Sequence, residues 1–151
     1  MCRVLLVFLM AAGVTLPPSS SHACEGVVSS LLSQPEKPAA GAVKQISIDA
    51  LAALLQQRTD VSVLDANPDS VRSSLGTVPG AVLLTSASRY QLTELPAEKD
   101  RTLVFYCFNE QCTASHAAAK RASAAGYSHV LVLSAGIQGW KAAGRPTRRT
   151  S

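Results

Sequence analysis

Apolar residues along the chain fall into two rhythms. Short, nearly continuous apolar runs occur at "VSVLDA" (61–66), "RTLVFY" (101–106) and "HVLVLS" (129–134). A fourth follows the Pro79-Gly80 turn in "TVPGAVLL" (77–84). Runs this short, without polar alternation, suit strands buried on both faces. Between them the period changes. "ISIDALAALLQQR" spaces Ile48, Leu51, Leu54 and Leu55 along one helical stripe, with Ser47 or Asp49 placed to cap it. "ASHAAAKRASAAG" (114–126) is helical by alanine content and stops at Gly126, and "AGIQGWKAAG" (135–144) is a short helix closed by Gly144. Alternating strands and helices predict an α/β domain, a parallel sheet with helices on both faces. In such sheets ligands sit where strands hand over to helices at their carboxyl ends.

The two ends read differently. Arg3 is followed by the apolar run "VLLVFLMAAGVTL" and then "PPSSSHA", with Ser21 and Ala23 at small-residue positions. The run is shorter than the roughly 20 residues needed to span a bilayer. Residues 1–23 are therefore expected to be an export signal, leaving Cys24 first in the mature chain, in a bacterial periplasm. A lipid on Cys24 would be the one route to a membrane. Residues 24–44, with Pro35, Pro38 and Gly41, read as a loose lead-in. The domain proper is expected over 45–147, with 148–151 as a solvated basic tail. The formal charge of +4 owes much to Arg145, Arg148 and Arg149. No basic stripe lies within the fold, so nucleic acid is not an expected partner. Hydrophobic residues make up 47 % of the 151 and charged residues 16 %, which supports a packed core and excludes a disordered chain.

Chemistry concentrates in "FYCFNEQCTASHAAA" (105–119). Cys107 follows the most strand-like run directly and precedes a helix. A thiol there meets backbone N–H groups and the positive end of a helix, and both favour the thiolate. Such settings lower a thiol pKa from about 8.5 to roughly 3.5–7.5. The expectation is that the amides from Phe108 through Asn109, Glu110 and Gln111 to Thr113 cradle a charge on Cys107. The competing reading is a small buried residue at a strand end. Glu110 facing the thiol would oppose the cradle. Phe108 shields the sulfur or meets a partner. Trp140 is expected in the core.

The chain from about 45 to 147 resembles a rhodanese-like domain. "VLDAN" is similar to that family's strand ending in an acid, and "LGTVPGAVLL" to its proline-glycine-alanine segment. "LVFYC" is similar to the strand that delivers the cysteine, and "HVLVLSAGIQGWKAAGRP" to the family's ending. The resemblance implies a parallel sheet of about five strands and a Cys107 that carries sulfane sulfur as a persulfide. It implies a small sulfur donor, a thiol acceptor that can be a protein, and no cofactor. Departures stand at the loop. Glu110 and Cys112 occupy places where the family carries glycine and arginine, and Asn67 stands where an arginine after the acid is common. Anionic donors are best held by cations, so efficient thiosulfate:cyanide transfer is not expected.

Asp65 is expected to orient loop backbone groups. Cys112 has three readings: it attacks a modified Cys107 to leave a disulfide, it packs at the start of the helix, or it joins Cys107 and His116 around a metal. Three ligands fall short of a closed structural zinc site, so no metal is expected. A sulfurtransferase using Cys107 and Cys112 is the leading functional expectation. A dithiol oxidoreductase or redox sensor on the same pair, and a non-catalytic binding module on the same scaffold, are the alternatives.

Overall fold

The computed structural model describes residues 43–57 and 60–149. The expected export signal, the two fates of Cys24 and the lead-in as far as residue 42 lie outside the described residues. Five strands form one sheet: β1 (Lys44–Gln45), β2 (Val61–Asp65), β3 (Val82–Leu83), β4 (Thr102–Tyr106) and β5 (Val130–Leu133). Their order is β1-β5-β4-β2-β3, and every pairing is parallel. The helices are α1 (Ile48–Gln56), α2 (Asp69–Leu75), α3 (Ala114–Ala124) and α4 (Gly136–Ala142).

Side-chain alternation on β4 shows how the layers form. Leu103, Phe105 and Cys107 face the layer holding Ala118, Ala119 and Ala122 of α3. Val104 and Tyr106 face the opposite layer, with Leu51 of α1 and Ile137 and Trp140 of α4. Small alanines let α3 approach the sheet closely, whereas the other face is filled by larger residues. Trp140 is 2 % exposed and belongs to the core. Ser47 caps α1 by accepting the Ala50 N–H at 3.2 Å, leaving Asp49 free to pair with Arg145 at 2.6 Å.

Three features depart from the sequence reading. Lys44 and Gln45 pair with Leu131 and Val132, so the strand crosses the boundary drawn between lead-in and domain. Both side chains are exposed, and main-chain pairing places the strand without an apolar pattern. Helix α2 was not expected; it begins after Pro68, whose fixed φ suits a helix start. The basic tail is also not wholly free. Thr77 and Arg148 exchange both main-chain hydrogen bonds at 2.8 Å, and Trp140 Nε1–H donates to the Pro146 carbonyl at 2.8 Å. The buried indole and this antiparallel pair hold the chain in place through Arg148.

Candidate functional site

Strand β4 ends at Tyr106, and the chain then runs through Cys107 and a short turn into α3. The N-terminal end of α4 fixes the start of this loop. Ile137 N–H donates to the Cys107 carbonyl at 2.8 Å and Gln138 N–H to the Phe108 carbonyl at 3.0 Å. The contact requires Gly136. Its φ is +60°, and a Cβ there would lie 2.5 Å from the Phe108 oxygen and 2.6 Å from the Cys107 oxygen. Asn109 organises the middle of the loop. Its carbonyl accepts the Cys112 N–H at 3.1 Å and its side-chain oxygen accepts the Gln111 N–H at 3.2 Å.

This turn brings the two thiols together, both free. Cys107 is 1 % exposed, while Cys112 is half-buried. The Cys107 Sγ lies 3.2 Å from the Cys112 carbonyl oxygen and 3.2 Å from Ser115 Oγ. Burial pushes the Cys107 thiol up from its ordinary pKa, and its hydrogen bond to the Cys112 sulfur acts the same way; the hydroxyl and N–H of Ser115 oppose both without prevailing. Burial also resists ionisation of Cys112. There, however, the Cys107 thiol and the N–H groups of Phe108 and Ala114 outweigh it and hold the Cys112 pKa below its ordinary value. The cradle expected around Cys107 is thus corrected. The Phe108 amide serves the Cys112 sulfur, and the Gln111 and Cys112 amides are taken up within the turn. The inner sulfur thus holds its proton more tightly than an ordinary thiol, and the outer one gives it up more readily.

Supporting groups lie at the neighbouring strand end. Asp65, fully buried, pairs in register with Tyr106. Its carboxylate accepts the Tyr106 hydroxyl at 2.5 Å and the Asn67 N–H at 2.7 Å. It therefore orients the backbone that turns away from β2. The Asn67 side chain is buried and has no hydrogen-bond partner. Sequence reasoning missed Arg72. From α2 its guanidinium reaches back to the Asp65 carbonyl at 3.0 Å, the Leu84 carbonyl at 2.8 Å and Asp69 Oδ1 at 2.9 Å, with its Nε 3.6 Å from Asp65 Oδ1. The cation looked for at position 67 lies on the following helix. The available signal was the Asp69/Arg72 spacing, three residues apart after Pro68.

Phe108, Glu110, Gln111 and Thr113 are exposed, and Asn109 is partly so. A groove of about 380 Å³ runs between the loop and α4, lined by Asn109, Glu110, Gln111 and Gln138 with the backbone side of Gly139. An apolar cavity of about 290 Å³ lies away from the thiols, against Leu55, Pro79 and Trp140. Among the described residues no three His, Cys, Asp or Glu side chains converge as a metal site, and His116 does not complete one with the two thiols.

A parallel sheet here delivers a cysteine from its central strand into a turn before a helix. The chain belongs to the rhodanese-like domain family, whose model matches residues 47–143. No curated protein matches it. Among solved structures it is similar to the rhodanese-like domain of an Anabaena protein, with a TM-score of 0.60, 23 % identity, and coverage of 72 % of this chain and 81 % of that one. It is similar to a rhodanese-related protein from Thermoplasma volcanium, with a TM-score of 0.57, 23 % identity, and coverage of 70 % and 97 %. It also matches part of a thiosulfate sulfurtransferase from Pseudomonas aeruginosa, with a TM-score of 0.60 and 21 % identity, covering 72 % of this chain and 21 % of that one.

Proposed function

We propose that this protein is a sulfurtransferase that carries sulfane sulfur as a persulfide on the Cys107/Cys112 pair and passes it to a thiol acceptor. The observation that carries this reading is the meeting of two free thiols in one turn at the carboxyl end of β4, with the Cys107 sulfur 3.2 Å from the Cys112 carbonyl oxygen. A thiolate attacks the sulfane sulfur of a donor, an S–S bond forms, and the donor's remaining group leaves with the electron pair. An acceptor thiolate then attacks the terminal sulfur of the persulfide and regenerates the protein thiolate. No step needs a cofactor. The loop offers Glu110 and no cation, so persulfide or polysulfide donors suit it better than thiosulfate. Export to the periplasm belongs to the same proposal and rests on residues 1–23.

Mass spectrometry after incubation with inorganic polysulfide tests it. The expected product is the protein plus one sulfur atom, absent from the Cys107→Ser/Cys112→Ser double variant. Failure of every sulfane donor to modify the wild type would remove the proposal. Two free thiols in one short turn, with the Cys107 sulfur 3.2 Å from the Cys112 carbonyl oxygen, also favour a second reading, a dithiol oxidoreductase. That reading requires a reversible Cys107–Cys112 disulfide with a defined potential and no sulfane transfer.

A further inference from the structure

We infer that Cys112, not Cys107, first receives sulfane sulfur, and that Cys107 is the buried thiol that resolves it. This rests on the sulfur-transfer reading above and concerns the order of events at the same site. Access favours Cys112. A donor must approach in line with the S–S bond being broken, and Cys107 is 1 % exposed whereas Cys112 is half-buried. Electrostatics favour it too. The Cys107 sulfur faces the Cys112 carbonyl oxygen at 3.2 Å. A carbonyl lone pair stabilises an S–H there and repels a thiolate. No carbonyl is recorded against the Cys112 sulfur among the described residues, and the nearby N–H groups of Phe108 and Ala114 lower its pKa. The raised Cys107 and lowered Cys112 pKa values agree with this geometry. Accessibility and the setting more favourable to a thiolate thus coincide on one sulfur, and it is not the one that follows the strand.

The chemistry balances with a persulfide donor. The Cys112 thiolate attacks the outer sulfur of R–S–SH; a Cys112–S–SH forms and R–S⁻ leaves with the electron pair. When no acceptor arrives, the Cys107 thiol attacks the inner sulfur of Cys112–S–SH. The products are a Cys107–Cys112 disulfide and H₂S, which takes the Cys107 proton. The sulfane sulfur gains two electrons and the two thiols lose them. An external dithiol then returns the disulfide to two thiols. Ser115, 3.2 Å from the Cys107 sulfur, can donate a hydrogen bond from its hydroxyl to that sulfur as it loses its proton and attacks.

The test is a short pulse of inorganic polysulfide on the full chain, followed by rapid alkylation and peptide mapping. In the wild type the first persulfide is expected on Cys112, followed by disulfide and free sulfide. Cys107→Ala should hold the persulfide on Cys112 and release sulfide at least about tenfold more slowly. Cys112→Ala should slow sulfur capture by about tenfold or more. Persulfide appearing first on Cys107 in the wild type, or capture by Cys112→Ala at the wild-type rate, overturns this order and leaves sulfur transfer standing. No sulfur on either cysteine of the wild type overturns both. The wild-type pulse decides the order even if a variant fails to fold.

Discussion

Tyr106 joins three parts of the structure through one hydroxyl. It donates to Asp65 at 2.5 Å and accepts the Val78 N–H at 3.1 Å, so β4, the end of β2 and the turn before β3 share one buried atom. Tyr106→Phe leaves a buried carboxylate and a buried N–H each short of a partner. The expected loss is about 1–3 kcal/mol of unfolding free energy, read from urea denaturation. Burial pushes the Tyr106 pKa up, with the Asp65 charge adding to it, and burial pushes Tyr90 up to about 12. Both rings fold as neutral phenols. Their contribution is therefore complete below the unfolded value of about 10 and is lost as the pH climbs beyond it. The thermal midpoint should decline above about pH 10, and Tyr106→Phe should flatten that decline. Asp65 and Cys107 were legible in the sequence because each sits where an apolar run ends, and Cys112 because it follows five residues later in the loop that run enters. The opposite pull on the two thiols was not, because it depends on which carbonyl and which amides the turn brings to each sulfur. Arg72 was hidden for a related reason: its reach to Asp65 and Leu84 exists only once α2 has formed.

The boundary between β5 and α4 sets the geometry of a loop nearly thirty residues earlier. Gly136 is the point of contact, and Gly126 is its natural comparison. Both have positive φ, but a Cβ on Gly126 would meet nothing within 4 Å, whereas one on Gly136 would strike the Cys107 and Phe108 carbonyls. Gly126→Ala is expected to cost about 1 kcal/mol, the penalty of a left-handed backbone alone. Gly136→Ala should cost more, roughly 2–4 kcal/mol, and should speed alkylation of Cys107 as the carbonyls move off the α4 amides. Thermal unfolding and timed iodoacetamide labelling measure the two effects. Most elements were legible because periodicity and burial agree: Leu51 on α1, the apolar run of β4 and the alanines of α3 each face a packed layer. β1 and α2 were not. The first is a pair of exposed polar residues held by main-chain bonds, and the second is a seven-residue helix with little apolar stripe.

In the whole molecule, the chain's two halves are tied together near the C-terminus. The main-chain exchange between Thr77 and Arg148 sits beside Gly76, where a Cβ would lie 2.8 Å from the Arg148 carbonyl. Deleting residue 148 onward removes both hydrogen bonds and should lower stability by about 1–2 kcal/mol, measured by urea unfolding. A frayed tail would leave stability unchanged. The fold class was readable from the order of runs alone, but this closing contact was not, because charge at the end of a sequence resembles a solvated tail until a partner is seen beneath it. The sheet's flanks carry a further consequence. β1 and β3 are two residues long each, too little ladder for a foreign strand to lengthen the sheet from either side. A thiol acceptor of the kind proposed above would instead come in over the rim where β4 gives way to α3, and be recognised there by side chains and shape.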